Sequence, residues 1–403
     1  MKFNLPKNKI RVPKFSYDKH FPIIVILLLI IGTGFFFFST RITGLQNLIS
    51  NLTQEKDKNL GELEKIKTDL ETLKNQDQLK RNDELQEEIA NIQKTYNKAV
   101  STYESLLDLK AKTSSTKELD TLFAQALSQL SKKDFTTADS SLNTLVVKIN
   151  EEDKKLAASF TIPQNVPESN TAPGSGYSRQ NVNVEGLGNY MVSLVAADLG
   201  STRVIVDTAS DSDCGNDCPV FPLATYVSRN GAYAGINGSY FCPADYPSCS
   251  GKTNTFDLLV MNSKKTYFNS GNNVYSANPA VIFGDGYIRF VSAASQWGRD
   301  TSPTGVLSNY PLLVFNGTVV FGGDDDPKKG SQGSRSFVAN KGNTVYIGVV
   351  HSATVAESAR VLKTLGMENA MNLDDGGSTA LYSGGYKVGP GRNLPNVILF
   401  VNK

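Results

Sequence analysis

The chain has 403 residues, with 41 Lys and Arg against 39 Asp and Glu, and its formal net charge is +2. This length exceeds that of an ordinary single domain, so we expect several folded segments. The nearly balanced charge does not favour a nucleic-acid partner or an acidic interaction tail.

The first predicted element is a membrane anchor. The stretch FPIIVILLLIIGTGFFFF, residues 21–38, carries no charge and is long enough as a helix to cross a hydrocarbon core of about 30 Å. Residues 1–20 hold the basic residues Lys2, Lys7, Lys9, Arg11, Lys14 and Lys19 and one acid, Asp18. This bias predicts a cytoplasmic basic tail, a single span and an extracytoplasmic remainder. A cleaved signal peptide and a buried core helix are the alternatives; the missing small-x-small cleavage site and the uniformly apolar helix favour the anchor.

Heptad-spaced apolar residues follow at 41–112. The two series are Ile42, Leu45, Ile49, Leu52, Leu63, Ile66, Leu70 and Leu73, and then Leu85, Ile89, Ile92, Tyr96, Ala99, Tyr103 and Leu106. NQDQLKRND, residues 75–83, breaks the register between them. Two interpretations are open: a parallel coiled-coil stalk that joins copies of the chain, or a hairpin with its turn at the break. We favour the stalk, which predicts a homo-oligomer.

Residues 116–160 predict a helical hairpin, because apolar faces at helical spacing flank the turn SKKDF. The segment resembles one tetratricopeptide unit, but a single copy has no neighbours to cover its faces, so a structural spacer is favoured. Residues 161–180, TIPQNVPESNTAPGSGYSRQ, are rich in Pro, Ser, Asn and Gly and predict a flexible linker.

Residues 181–403 combine many β-rich runs with few helical segments. This pattern predicts an α+β domain with a mixed, mainly antiparallel sheet. All four cysteines lie in DCGNDC and FCPADYPSC. We predict local disulfides Cys214–Cys218 and Cys242–Cys249, as suits an oxidising exterior. A zinc site is disfavoured, since the spacings are unusual and both histidines are remote in sequence.

Four polar clusters stand at strand ends or in loops of this domain, where binding and catalytic sites are usually built. They are GINGSYF (235–241), GSRSFVA (333–339), NLDDGGST (372–379) and GPGRNLPNVILFV (389–401). Taken singly, each is better explained as an ordinary turn, since Asn-Gly and Asp-Gly pairs are common turn formers.

Taken in order, these clusters resemble the phosphodiester glycosidase family. GINGSYF is similar to the family's Asn-Gly-Gly-Phe-Phe element, SRSFVAN to its Pro-Arg-Thr-Ala segment, and NLDDGGST to Asn-Leu-Asp-Gly-Gly-Gly-Ser-Ser. The ending RNLPNVILFV matches an Arg, a short gap and Pro-Asn before an apolar strand. Two departures concern the substrate rather than the fold: Asp375 replaces the first glycine of a triplet, and Ser334 stands where proline is common.

The resemblance implies a hydrolase that cleaves a sugar-1-phosphodiester, and the residue types suit that chemistry. We expect Arg335 and Arg392 to grip a phosphate bidentately and Asp374 to manage a proton or a developing positive charge, with Asp374 and Arg335 catalytic. The backbone of Gly376 and Gly377 would approach an anion. The predicted substrate-binding residues are Asn237, Ser239, His351, Gly376, Gly377, Ser378, Thr379, Arg392 and Asn396. Asp375, with Asp374, is a candidate ligand of Ca²⁺ or Mg²⁺, although no cofactor is required.

The resulting hypothesis is a membrane-anchored, extracytoplasmic hydrolase acting on a surface or wall glycan. Two alternatives belong to other classes. One is a non-catalytic glycan-binding module on a stalk, and the other is a scaffold protein whose helical region does the work.

Overall fold

The computed structural model describes residues 21–298 and 302–403, without the side chains of residues 21, 77–78 and 157–158. It divides into two compact units, Met1–Ile89 and Ala90–Lys403. The predicted basic tail, residues 1–20, lies outside the described residues.

The first unit consists of α1, Phe21–Lys74, and the start of α2, Asp77–Lys110. By length and composition, α1 is the one helix among the described residues that is able to cross a membrane, with an 18-residue window of mean hydropathy 2.6. The helix is interrupted at residues 75–76, within the predicted break in heptad register. The heptad residues Leu45 and Leu52 are 57% and 55% exposed in the single chain. A coiled coil therefore stays a prediction.

The helical unit, as we call residues 90–159, contains the end of α2, α3 (Lys117–Ser131) and α4 (Phe135–Ser159). Two buried clusters join the three helices; they are Ala99, Ala126, Leu130, Ala138 and Leu142, and then Leu106, Leu109, Leu119, Leu145 and Ile149. The second predicted heptad series thus ends against α3 and α4 of its own chain. This corrects the predicted extent of the stalk, 41–112, because amphipathic helices close in sequence bury each other's apolar faces first.

The C-terminal domain, residues 168–403, is built mainly of strands. These are β1 Gly176–Val184, β2 Gly188–Asp198, β3 Thr202–Thr208, β4 Ala234–Asn237, β5 Val260–Met261, β6 Tyr267–Phe268, β7 Ala280–Gly284, β8 Tyr287–Val291, β9 Gly305–Ser308, β10 Leu312–Phe315, β11 Thr318–Val319, β12 Gly333–Lys341, β13 Thr344–Ala353, β14 Asn369–Asn372, β15 Leu381–Ser383, β16 Tyr386–Val388 and β17 Asn396–Asn402. Its helices are α5 Leu223–Arg229, α6 Asn272–Tyr275, α7 Pro327–Gly330 and α8 Val355–Thr364. Short 3₁₀ turns span Pro247–Cys249, Ala294–Gln296 and Gly376–Ser378.

The strands form three sheets. Their orders are β1-β2-β13-β12-β14-β10-β11, β16-β15-β4-β17-β3 and β6-β5-β9-β7-β8. Every pairing between these described strands is antiparallel. The predicted mixed fold with antiparallel sheets is confirmed.

One apolar core joins the three sheets. It contains Val195, Ile347, Ile398, Val206 and Val281, all fully buried. Helix α8 covers the other face of the seven-stranded sheet. Its first turn is closed by a capping box, in which Thr354 Oγ1 accepts from Glu357 N and Glu357 Oε2 accepts from Thr354 N. The strand ends are thereby fixed on a rigid scaffold.

The predicted linker, 161–180, overlaps this domain. Strand β1 begins at Gly176, Glu168 bridges to Asn181, and Gln180 Nε2 donates to Ser169 O at 2.7 Å. Residues 168–180 are therefore ordered by backbone pairing that composition alone does not reveal.

The two predicted disulfides, Cys214–Cys218 and Cys242–Cys249, are confirmed. The loop closed by Cys242–Cys249 carries Asp245 and Tyr246. Tyr246 borders the candidate site, and Asp245 Oδ2 accepts a hydrogen bond from Arg392 Nη2 at 3.2 Å.

Candidate active site

A cavity of about 680 Å³ opens where polar loops of the C-terminal domain meet the helical unit. Strand β14 lies next to β12 in the seven-stranded sheet, so the segment after β14 comes beside the start of β12. This pairing brings Asp374 and Asp375 to Arg335. The volume lies within the range of about 300–1,000 Å³ that is typical of ligand sites.

Asp374 borders the cavity but is almost enclosed by protein. Its Oδ1 accepts from Asp375 N at 2.9 Å, while its Oδ2 is buried and has no hydrogen-bond partner among the described residues. Burial raises the pKa of Asp374 to about 7, and the neighbouring Ser378 hydroxyl offsets part of that rise without closing a hydrogen bond of normal geometry. The carboxyl group is consequently poised to exchange a proton near neutral pH.

Arg335 is 5% exposed and most of its donors are occupied. Nε donates to Ala353 O at 2.9 Å, Nη2 donates to the carbonyls of Lys328 and Ser331, and Nη1 pairs with Asp375 Oδ2 at 3.3 Å. Since a guanidinium has five N–H donors, the contacts of the described residues leave one for a ligand. The bidentate grip predicted for Arg335 is therefore not available in this arrangement.

Asp375 is the partner that holds this arginine. Its Oδ1 accepts from Ser336 N at 2.9 Å and its Oδ2 accepts from Asn372 Nδ2 at 2.9 Å. Burial raises its pKa, and the Arg335 charge opposes that rise. Of the described residues, no three His, Cys, Asp or Glu side chains are grouped so as to hold a metal ion. Because both oxygens already face protein donors, Asp375 does not fit the predicted cation site.

Arg392 lies on the glycine turn at the cavity. A side chain at Gly377 would place its Cβ 2.9 Å from Arg392 Cζ, and Arg392 N donates to Gly377 O at 2.9 Å. Gly376 has φ +61°, a conformation that favours glycine. Arg392 is also close to two carboxylates, at 3.2 Å from Asp245 and 3.5 Å from Asp108. The Arg392 guanidinium therefore lies directly against the backbone of the glycine turn, residues 376–377.

Comparison with known proteins gives one family match. Residues 230–401 match the family model of the phosphodiester glycosidases. The predicted resemblance is confirmed.

Three solved structures are distantly similar to the chain. A hypothetical protein from Synechocystis has a TM-score of 0.39 at 16% identity, with 56% of this chain and 62% of that chain covered, so the chain spans less than two thirds of it. The zebrafish N-acetylglucosamine-1-phosphodiester alpha-N-acetylglucosaminidase catalytic domain, auto-inhibited by its pro-peptide, has a TM-score of 0.44 at 15% identity, covering 60% and 87%. A putative exported protein from Burkholderia pseudomallei has a TM-score of 0.36 at 12% identity, covering 54% and 76%. No curated protein matches the chain.

Several residues of the glycosidase-type motifs do not reach the cavity. Asn237, Ser239, Thr379 and Asn396 are buried and do not border it. Asn237 Nδ2 donates to Asp374 O at 2.7 Å, and Asn396 Oδ1 accepts from Ser239 N at 2.8 Å. Their amides bind the motif segments to one another. We reassign these four residues from substrate contact to positioning.

The remaining predicted binding residues, His351, Gly376, Gly377, Ser378 and Arg392, border the cavity. His351 Nε2 is 3.0 Å from Ser193 Oγ, and its ring stacks on Phe160 at 6.1 Å between centroids. Burial lowers the pKa of His351 to about 4, so it is neutral at pH 7. It is suited to hydrogen bonding or stacking, and not to binding a phosphate by charge.

The cavity also contains residues that the motifs did not indicate. Tyr246 and Tyr310 border it from the C-terminal domain, and Ser105 and Asp108 border it from α2. Tyr246 Oη donates to Asp108 Oδ1 at 2.5 Å. The position of Tyr246 between the two cysteines of the second disulfide was the available sequence signal, whereas a serine or aspartate on a helix surface gives none.

Proposed function

We propose that the protein is a hydrolase of the phosphodiester glycosidase type that releases a sugar from a sugar-1-phosphodiester in a surface or wall glycan. The observation that supports this most directly is the placement of the family motif. Asp374, with a pKa of about 7, shares a cavity with Arg392 and with the Gly376–Gly377 backbone. A proton-exchanging carboxyl beside an anion cradle is what cleavage at an anomeric carbon next to phosphate requires.

In the proposed reaction, a water oxygen bonds to the anomeric carbon and the bond from that carbon to the phosphate oxygen breaks. The phosphomonoester leaves with the electron pair, and the charged Asp374 takes the proton from water. Arg392 and the backbone N–H groups at 376–377 stabilise the phosphate charge. No strong acid is needed, because a phosphomonoester is a good leaving group. Activity should consequently rise with pH through about 7.

We further propose that α1 anchors this domain outside the cytoplasm. The apolar helix, the basic residues ahead of it and the two disulfides support this orientation. Protease added to intact cells should remove the C-terminal domain. Protection of the domain until the cells are broken would contradict the orientation.

The catalytic test uses the full chain in detergent, since the cavity includes residues of the helical unit. N-acetylglucosamine-1-phosphate methyl diester serves as substrate, and free sugar is measured. Asp374→Asn should lower kcat by about 10²–10⁴-fold. Asp257→Asn, at an exposed acid that does not border the cavity, is the matched control. Equal turnover in the Asp374 variant would overturn the proposed role.

A non-catalytic glycan-binding module is the second candidate. It is favoured by the burial of Asp374 Oδ2, because a carboxyl oxygen that solvent does not reach cannot take a proton from water in this arrangement. It predicts that the unmodified protein binds the diester without releasing sugar and that Asp374→Asn keeps this affinity.

A further inference from the structure

Helix α2 presents a row of hydrogen-bond acceptors to the cavity. Ser101, Ser105 and Asp108 all border it, and their spacing of four and three residues places them on one helix face. Ser101 Oγ donates to Lys98 O at 3.0 Å, and Ser105 Oγ donates to Ser101 O at 3.0 Å. Since each hydroxyl proton is used within the helix, the oxygen lone pairs remain to accept from a ligand.

Hydrogen bonds join this face of α2 to the loop of the Cys242–Cys249 disulfide. Ser248 N donates to Glu104 Oε1 at 3.1 Å, and Tyr246 Oη donates to Asp108 Oδ1. Glu104 is 6% exposed and also lies 3.8 Å from Lys328 Nζ. A buried glutamate with two partners holds α2 against the loop of the Cys242–Cys249 disulfide. The helical unit is thus a wall of the site and not a spacer.

The chemistry of the wall selects its ligand. Lys112, Lys328 and Lys329 also border the cavity, but each lies within 4 Å of a carboxylate, that of Asp153, Glu104 and Asp324 respectively. The oxygen acceptors of Ser101, Ser105 and Asp108 disfavour a second phosphate but accept hydrogen bonds from hydroxyl groups. Tyr310 and Phe160 border the same cavity and add apolar ring surface against which a sugar ring can pack, whereas the ring of Tyr246 already lies under Lys328 and Arg392. A neutral, hydroxyl-rich group therefore fits this wall better than an anion does.

We infer that the α2 wall is a second subsite, which binds the hydroxyl-rich glycosyl or polyol group on the far side of the phosphodiester. The inference rests on the proposed function, because it assumes that the phosphate lies at Arg392. It makes the substrate a diester flanked by hydroxyl-rich units on both sides, as in a polymer. Ser101 and Ser105 are then specificity-determining residues, supplied by a segment outside the family match.

The test compares two probes by calorimetry with the full chain in detergent. One is N-acetylglucosamine-1-phosphate methyl diester, and the other carries a glucosyl group in place of the methyl. The unmodified protein should bind the glucosyl probe at least about tenfold more tightly. Ser101→Ala/Ser105→Ala should remove most of this preference. Ser140→Ala, at an exposed serine of α4 that does not border the cavity, should retain it.

Two outcomes would overturn the subsite. The first is equal affinity for both probes in the unmodified protein, including no measurable binding of either, and the second is an unchanged preference in the double variant. Release of sugar is recorded separately in the same samples. Tight, selective binding without release would contradict the proposed function alone, and release without selectivity would contradict the subsite alone.

Discussion

The helical unit and the C-terminal domain border one cavity but are held together by different kinds of contact. The helical unit buries apolar side chains of helices that follow each other in sequence, such as Leu106 against Leu145. The C-terminal domain pairs strands that are far apart, such as β17 with β3 and β4. Strand ends concentrate glycine and polar residues into motifs, whereas a helix face distributes its contribution over several turns. Residues of the candidate site in the C-terminal domain can therefore be found from sequence motifs, whereas those on the helical unit cannot.

The largest expected effect on stability concerns the buried ion pair between Arg335 and Asp375 in the C-terminal domain. Asp375→Gly, which restores the family's glycine, leaves the Arg335 guanidinium buried without its carboxylate. Removing one partner of a buried pair costs about 3–5 kcal/mol. Thermal denaturation should show this loss, and Asp257→Asn should not. An unchanged melting temperature in Asp375→Gly would mean that the Arg335 guanidinium needs no carboxylate partner.

The next effect depends on pH. The pKa of Asp374 is about 7 in the folded chain against 3.8 unfolded, so its contribution to stability is full below pH 3.8 and is lost as pH rises through about 7. At 1.36 kcal/mol per pKa unit, this loss amounts to about 4 kcal/mol. Asp374→Asn should accordingly gain stability relative to the unmodified chain between pH 5 and pH 8. A gap in Tm that does not grow with pH would contradict the raised pKa.

A smaller effect would separate the two regions. Leu106→Ala leaves a cavity in the core of the helical unit, at a cost of about 3 kcal/mol. We expect α2–α4 to loosen before the sheets do, with a rise in KM for the glucosyl diester. Hydrogen exchange should locate the change in residues 90–159. Uniform loss of protection across β12–β14 would show that the two regions unfold as one.

The smallest expected effect belongs to the disulfide that lies between the regions. Cys242→Ser/Cys249→Ser should cost about 2–3 kcal/mol, because the closed loop is short. Tyr246 and Asp245 then lose their fixed position beside Arg392. We expect weaker binding of the phosphodiester with strand structure intact. The same changes at Cys214 and Cys218, measured by circular dichroism and calorimetry, provide the matched comparison.

How far the sequence leads can be judged from particular residues. The motifs shared with the phosphodiester glycosidase family and both disulfides could be predicted, because each is formed by residues close together in the sequence. Asn237 and Asn396 were predicted to bind substrate, because the sequence does not distinguish an asparagine that holds loops together from one that faces a ligand. Asp375 replaces a glycine of the family motif, and its role follows from the burial of Arg335, because a buried arginine requires a carboxylate partner. Asp108 had none, since its contact with Tyr246 crosses 138 positions of the chain.

The position of β17 has a consequence for how the protein is made. This strand lies between β4 and β3, and it is synthesised long after both. Until residues 396–402 emerge, β3 and β4 present unpaired edges that invite association with other chains. Because domains generally fold as units during synthesis, this one cannot close before β17 has been synthesised. A chaperone that shields exposed strands until β17 pairs would then matter more to the yield of folded protein than to its final stability.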